Sequence, residues 1–297
     1  MFVPAGAVPA LVTPLDPHGE LLEDGLRALL DHVIAGGVHG VFVLGSSGEI
    51  YGLDDRQKRR VVEITVEHVA GRVPVYAGAS EITTRDCVRT ARMVAEVGGV
   101  SALSVLTPYF MTPTQHELLT HYTEVAAATD LPVVLYTNPG RTGVDLDVET
   151  VLQLAKVETI VGIKDSSGNP DLLRRFLTER PAGFAVLVGR DNMILEGLRE
   201  GADGAIASTA NVAPALVAGI YEAYRAGDLE RAARLQAALS PLRAIVDRAT
   251  FPVVLKEGLR LVGVDAGVCL APARDIDEQV RAELAVVVAD ALAATTD

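Results

Sequence analysis

The segment TIVGIKDSSG (residues 159–168) decides how the rest of the chain is interpreted. Its first half is apolar and rich in β-branched residues, and Lys164 stands directly before a run of turn-forming residues. This pattern predicts a buried strand that ends at Lys164 and leads into a loop. Burial disfavours the ammonium form of a lysine and lowers its pKa, so Lys164 is a candidate nucleophile for a carbonyl group. The alternative is a lysine that ends the strand and reaches solvent.

Composition limits the class of protein. The chain has 297 residues, of which 49% are hydrophobic, enough for a large core. Its net charge of -13 argues against nucleic-acid binding, which needs a basic surface. No apolar stretch is long enough to cross a bilayer, and the first residues lack the pattern of a signal peptide. The cysteines, Cys87 and Cys269, are far apart and suggest neither a disulfide framework nor a zinc site. We therefore predict a cytoplasmic protein without nucleic-acid or membrane partners.

Short apolar runs recur along the chain, and amphipathic segments of helical spacing separate them. Because these runs are continuously apolar, both faces of each strand are predicted to be buried, as in a parallel sheet. Eight such units favour an α/β fold of the (β/α)8 TIM barrel type. An open doubly wound sheet is the alternative, and the absence of G-x-G-x-x-G after the first strand disfavours it. The predicted strands are 7–12, 38–44, 73–77, 102–106, 133–136, 160–164, 185–189 and 204–207.

The repeats end near Ala226, and the remaining sequence is of another kind. Residues 228–246, 251–262 and 277–294 have helical patterns with no flexible linker before them. We therefore predict a barrel domain over residues 1–226 and a C-terminal helical domain over residues 227–297 that packs against it.

In barrel enzymes the loops after the strands carry the catalytic groups. Ser46 and Ser47 lie in such a loop, where hydroxyl and backbone N–H groups can hold a carboxylate. Tyr136 ends a predicted strand and can relay protons, and Arg141, one short loop further on, can bind a carboxylate with two hydrogen bonds. An ordinary helix cap, a core tyrosine and a surface arginine are the respective alternatives.

Two further features are interpreted as structural. Glu49, which follows the serine loop, is expected to fix that loop through hydrogen bonds. His116 and His121 lie five residues apart on a predicted helix, with no third metal ligand evident. A solvated helix face is the interpretation that we favour for these histidines.

Three motifs in order resemble those of the dihydrodipicolinate synthase / N-acetylneuraminate lyase family. They are GSSGE (45–49), YTNPGRTG (136–143) and GIKDSSG (162–168), and the likeness extends to ASTANV (207–212) and the helical tail. The resemblance implies a barrel with a C-terminal helical domain and a class I, Schiff-base lyase or aldolase that needs no metal or organic cofactor. It also implies a homotetramer built as a dimer of dimers.

The resemblance also implies roles for individual residues. Lys164 would form the Schiff base with pyruvate or another 2-oxo acid, Tyr136 would shuttle protons, and Ser46 would take part in the proton relay. The implied substrate contacts are Ser46 and Ser47 to the oxo-acid carboxylate, Gly189 and Ile206 through backbone groups beside the iminium, and Arg141 to the carboxylate of an aldehyde. Phe110 is a further substrate-binding candidate, because it matches a tyrosine that the synthases donate across a dimer interface.

The sequence departs from the synthase pattern at three places. Ser46 and Ser47 replace two threonines, Phe110 lacks the tyrosine hydroxyl, and Thr137 replaces the usual asparagine, with Asn138 shifted by one. A dihydrodipicolinate synthase-like activity is the favoured prediction. The alternatives are a 2-keto-3-deoxy sugar acid or 4-hydroxy-2-oxoglutarate aldolase, an N-acetylneuraminate lyase-like enzyme, a cofactor-free decarboxylase or hydratase, and a non-catalytic barrel that binds a small acid.

Overall fold

The computed structural model describes residues 2–295. Eight parallel strands form one sheet with the order β1-β8-β7-β6-β5-β4-β3-β2. The strands are β1 (Gly6–Pro9), β2 (Val41–Val43), β3 (Val75–Gly78), β4 (Ala102–Leu106), β5 (Val133–Thr137), β6 (Ile160–Asp165), β7 (Ala185–Val188) and β8 (Gly204–Ala207). Every strand residue is buried, as the continuously apolar runs predicted.

The sheet closes into a barrel between its first two strands. A parallel bridge joins Ala10 to Phe42, and the Leu11 N–H donates to the Phe42 carbonyl at 2.8 Å. The predicted (β/α)8 barrel is therefore confirmed. Its interior is filled by a separate apolar cluster of Val8, Ala10, Phe42, Tyr76, Ala102, Val134, Val161, Leu187 and Ile206.

Helices follow the strands on the outside of the barrel. Several begin at a capping residue: the Asp54 carboxylate accepts from the Gln57 N–H, and the Thr114 hydroxyl accepts from the Glu117 N–H. The helices are α1 (Glu23–Ala35), α2 (Asp55–Val69), α3 (Thr84–Val97), α4 (Gln115–Ala126), α5 (Pro139–Thr142), α6 (Val148–Leu154), α7 (Pro170–Glu179), α8 (Ile194–Arg199), α9 (Pro214–Arg225), α10 (Leu229–Val246), α11 (Val253–Leu261) and α12 (Glu278–Ala293).

The predicted strands 7–12 and 38–44 extend too far at their C-terminal ends because their apolar residues continue past the ladder. β1 ends at Pro9 rather than at residue 12, and the Val12 N–H donates instead to the Asn211 side chain at 3.0 Å. β2 ends at Val43, since Leu44 has a positive φ of 56° that no strand residue adopts. Both residues are buried, so burial alone could not separate loop from strand.

The three helices after residue 226 pack on one another and on the barrel. α10 lies against α9 and α12, and α11 lies against α12. The domain boundary near residue 226 stays a prediction. Within residues 2–295, no helix has both the length and the apolar character that crossing a bilayer requires.

The solvated-face interpretation of the two histidines is wrong for His121. His116 is exposed, but His121 is buried in α4, with its Nδ1 2.9 Å from the Thr84 hydroxyl and its Nε2 4.0 Å from the Cys87 sulfur. Burial lowers the pKa of His121 to about 4. The five-residue spacing placed the two imidazoles on different sides of the helix, since neighbours on one face are three or four residues apart.

We expect His121 to make the protein acid-sensitive. Its pKa is lower in the folded state than the ordinary value near 6.5, so the unfolded state binds the proton first as the pH falls. Between about pH 6.5 and pH 4 this should remove about 3 kcal/mol from the free energy of unfolding. Urea denaturation at about pH 7 and pH 4 should show a smaller pH-dependent loss in His121→Gln than in the wild type. His116→Gln, on the exposed side of α4, should behave as the wild type; an equal loss in His121→Gln would contradict the assignment.

Candidate active site

A cavity of about 270 Å³ opens at the carboxyl ends of the strands. It lies where loops from distant parts of the sequence converge, as in other barrels. Its lining residues are Ala10, Ser46, Ser47, Tyr136, Asn138, Gly140, Arg141, Lys164, Ser166, Gly189, Arg190, Asp191, Ile206, Ser208, Arg243, Asp247 and Phe251. Seven of the eight predicted site residues, all except Phe110, are therefore in one cavity.

Lys164 is the candidate nucleophile in this cavity. It is part of β6, which continues one residue further than predicted, and its side chain is only 4% exposed. The Lys164 Nζ lies 4.2 Å from the centre of the Tyr136 ring and 5.4 Å from that of the Phe42 ring. In the register of the sheet, Lys164 is paired with Tyr136 of β5. The strand thus holds an amine between two aromatic rings, inside the cavity and away from bulk solvent.

The surroundings of the Tyr136 phenol make it easier to ionise than an ordinary phenol. The Asn138 Nδ2 donates to the phenol oxygen at 3.1 Å. Burial acts to raise the pKa of Tyr136, but the charge on Lys164 and hydrogen bonds from Asn138, Ser166 and Ser46 together outweigh burial. The pKa of Tyr136 consequently lies below its ordinary value. A phenol of this kind next to an amine can accept and return a proton.

The loop that carries Ser46 and Ser47 is fixed by the C-terminal helices. Glu49 is almost fully buried; its Oε1 lies 2.7 Å from the Lys256 Nζ, and its Oε2 accepts from the Leu270 N–H at 2.8 Å. Both side chains of this ion pair are buried. Removing one of them would therefore leave the other as an unpaired charge in the interior. The interpretation of Glu49 as a loop-fixing residue is confirmed.

Gly189 permits a close approach of two backbone segments beside the lysine. The Ser166 hydroxyl donates to the Gly189 carbonyl at 3.2 Å. A Cβ atom at position 189 would lie 2.0 Å from the Ser166 Oγ and 2.8 Å from the Asp165 carbonyl oxygen. Only glycine fits here without a shift of the β6 loop.

The cavity wall also includes residues that follow the barrel: Arg243 of α10, and Phe251 from the segment between α10 and α11. The Arg141 guanidinium lies over the Phe251 ring, with 4.1 Å between its Cζ and the ring centre. Burial lowers the pKa of Arg141. Arg243 of α10 is 14% exposed and pairs with Asp247 at 3.0 Å. The part of the chain after residue 226 therefore contacts one arginine of the site and supplies another.

Several lining residues were missed by sequence reasoning. Asn138 and Ser166 stood inside motifs that were quoted, and their polar side chains one or two residues after a strand end were the available signal. Asp191 fixes the wall after β7, since its carboxylate accepts from the backbone and hydroxyl groups of Ser208 and Thr209. The arginine of α10 had no local signal, because its helix is predicted only as an amphipathic segment.

Phe110 does not line the cavity. It lies in the loop after β4 with a positive φ of 73°, and its side chain is 95% exposed. Its predicted role across a subunit interface stays a prediction.

The chain is similar in sequence and architecture to proteins of one family. The model of the dihydrodipicolinate synthetase family matches residues 3–291. The chain is 39% identical over 278 residues to a 4-hydroxy-tetrahydrodipicolinate synthase of Methanopyrus kandleri, covering 93% of this chain and 92% of that protein.

Two solved structures are similar over nearly the full length. The 4-hydroxy-tetrahydrodipicolinate synthase of Methylacidiphilum fumariolicum gives a TM-score of 0.94 at 28% identity, covering 99% of this chain and 97% of that one. YagE, an E. coli K12 protein of the dihydrodipicolinic acid synthase family solved in complex with pyruvate, gives a TM-score of 0.92 at 31% identity. The match covers 97% of this chain and 98% of that one. The chain thus belongs to the dihydrodipicolinate synthetase family, and it is a class I lyase of that family.

Proposed function

We propose that this lyase forms a Schiff base between Lys164 and pyruvate, or a closely related 2-oxo acid, and joins it to an aldehyde in a dihydrodipicolinate synthase-like reaction. The buried Lys164 amine, 4.2 Å from the Tyr136 ring and inside the cavity, is the observation that carries the proposal. YagE, which is solved with pyruvate, supports the choice of oxo acid.

The reaction begins at the amine. The Lys164 ammonium first passes its proton to the Tyr136 phenolate, and the uncharged nitrogen then attacks the oxo carbon. The carbinolamine loses water to give an iminium. We assign the proton transfers of this step to Tyr136 because the centre of its ring lies 4.2 Å from the Lys164 Nζ. Loss of a proton from the adjacent methyl group gives an enamine, whose carbon attacks the aldehyde carbon. Protonation of the new alkoxide and release of the product, by water or by an intramolecular amine, regenerate Lys164.

The other predicted residues have positions that suit the same proposal. Ser46 and Ser47, in the loop after β2, would hold the carboxylate of the oxo acid. Gly189 and Ile206 line the cavity beside the amine and would contact the iminium. Arg141 would bind an anionic group on the aldehyde.

A 4-hydroxy-2-oxo acid aldolase is the second candidate. Ser46 favours it because serine at this position resembles the lyase and sugar-acid aldolase branches of the family, and Phe110 favours it because it lacks the hydroxyl of the predicted proton relay. The same iminium chemistry would run towards cleavage in such an enzyme. Family membership as a lyase argues against the non-catalytic barrel. The homotetramer, with Phe110 at a subunit interface, remains part of this proposal.

Trapping with pyruvate and sodium borohydride tests the proposed function. Reduction of the iminium should leave one permanently attached, reduced pyruvate on the tryptic peptide that contains Lys164, as measured by mass spectrometry. No attachment, or attachment only at another lysine, would overturn the mechanism. Pyruvate with aspartate semialdehyde or with hydroxyaldehydes, scored by carbon–carbon bond formation, then distinguishes the two candidates.

A further inference from the structure

We propose that Arg190 is a specificity-determining residue which, together with Arg141, binds a carboxylate on the aldehyde substrate. The inference rests on the proposed function, which assigns Arg141 to an anionic group on the aldehyde, and it extends that function by adding Arg190 as a second residue that recognises the same group. Arg190 lies outside the three motifs through which the chain resembles its family.

Arg190 is held against two neighbouring loops of the cavity. It comes two residues after the end of β7, and it lines the cavity with Lys164. A Cβ atom built at Gly168 would lie 3.1 Å from the Arg190 Nε, and one built at Gly140 would lie 3.9 Å from its Nη2. The guanidinium therefore extends across the ends of β5 and β6, in space that two glycines leave open.

In the described part of the chain, no carboxylate forms a direct ion pair with Arg190, although the buried Asp165 attracts it over a longer distance. Within residues 2–295, neither Arg190 nor Arg141 has a carboxylate oxygen within 4.0 Å, and the buried Arg190 Nε has no hydrogen-bond partner. Arg243, the third arginine of the cavity, does have a carboxylate within this distance, since Asp247 lies 3.0 Å from its Nη1, but that buried nitrogen also has no hydrogen bond. A buried guanidinium N–H without a partner is costly unless a ligand supplies the acceptor.

The nearest acids are already engaged. The Asp165 carboxylate accepts the Ser167 N–H at 2.8 Å. The Asp191 carboxylate accepts from Ser208 and Thr209, with 2.6 Å to the Thr209 hydroxyl. Two guanidinium groups thus remain available on the loop side of Lys164.

The position of these charges identifies which end of the substrate they bind. Arg141 follows β5 and Arg190 follows β7, whereas Lys164 lies within β6 between them. An aldehyde approaching an enamine on Lys164 from the loop side would place its far end between the two arginines. Guanidinium groups pair with carboxylates through two parallel hydrogen bonds, so a carboxylate at that end fits both charge and geometry.

The test compares two aldehydes of equal chain length, succinic semialdehyde and butyraldehyde, each with pyruvate. The wild type should prefer the charged aldehyde in kcat/KM, and Arg190→Met should reduce that preference by about 10- to 100-fold. Arg190→Lys should retain part of the preference, because lysine keeps the positive charge but lacks the two parallel N–H donors of the guanidinium.

Controls separate direct contact from a general effect of charge. Arg174→Met removes a guanidinium outside the cavity, where Asp171 and Glu200 pair with it at 2.8 Å and 3.0 Å, and it should leave the preference within a few-fold of the wild type. An equal loss in Arg174→Met, a preference unchanged in Arg190→Met, or no preference in the wild type would each overturn the inference. Borohydride trapping of pyruvate on Arg190→Met keeps the two proposals apart: retained trapping leaves the Schiff-base function standing whatever the aldehyde preference shows.

Discussion

Lys164→Arg is expected to reduce carbon–carbon bond formation by about 10⁴-fold or more. The substitution keeps a long apolar stem and a positive charge in the cavity. However, a guanidinium stays protonated at all working pH values and cannot condense with a carbonyl group. The measurement is the rate of pyruvate consumption with the preferred aldehyde, accompanied by borohydride trapping, which should leave no attached pyruvate.

Lys58→Arg is a matched control for this substitution. Lys58 is as buried as Lys164, but it lies outside the cavity and pairs with Glu81 at 2.6 Å. An arginine can keep that ion pair, so activity and trapping should both persist. The chain has only four lysines, which makes the trapping site easy to assign. Ordinary activity in Lys164→Arg, with thermal stability matching the wild type, would show that the Schiff-base mechanism is wrong.

The barrel could be predicted because each of its strands and helices has a recognisable pattern within its own short stretch of sequence. Each strand is a short apolar run, each helix has its own periodicity, and two strands, Ala102–Leu106 and Gly204–Ala207, have the predicted bounds. The predicted end of β1 was wrong because the interaction that decides it is distant in sequence. Val12 leaves the ladder because Asn211, almost two hundred residues away in sequence, accepts its N–H.

The difference between local patterns and distant contacts also explains which site residues could be predicted from the sequence. Lys164 and Tyr136 end strands that are neighbours in any parallel barrel, so topology alone brings them together. Arg243 comes from α10 and Phe251 from the segment between α10 and α11, where neither the hydrophobic pattern nor a motif shows which residue faces the cavity. Helical periodicity predicts that a helix has a buried face, but it does not predict what that face contacts.

The Glu49–Lys256 pair shows how the helical domain can contribute to catalysis without touching the substrate. Glu49 follows the loop of Ser46 and Ser47, and its two oxygens contact Lys256 and the Leu270 N–H. An ion pair between these positions could not be inferred from the sequence, since more than two hundred residues separate them. The predicted carboxylate-binding loop therefore depends on a domain that the motifs do not include.

Tyr136→Phe is expected to lower kcat by about 10²- to 10⁴-fold, because the phenol carries the protons of iminium formation and of the carbon–carbon bond-forming step. The substitution keeps the ring that lies 4.2 Å from the Lys164 Nζ. Pyruvate should therefore still be trapped by borohydride, although more slowly. The combination of retained trapping and slow turnover distinguishes loss of proton transfer from loss of the nucleophile.

The pH profile gives a second measurement on the same variant. The charge of Lys164 and the hydrogen bonds to the phenol outweigh burial and place the pKa of Tyr136 below its ordinary value. A limb of the kcat profile that reports this ionisation should be present in the wild type and absent in Tyr136→Phe. Tyr122→Phe is the control, since Tyr122 is equally buried and its hydroxyl reaches only the Tyr136 backbone carbonyl, at 3.5 Å. A loss below about tenfold in Tyr136→Phe, or an equal loss in Tyr122→Phe, would remove Tyr136 from the proton path and leave Ser46 or a water molecule to carry it.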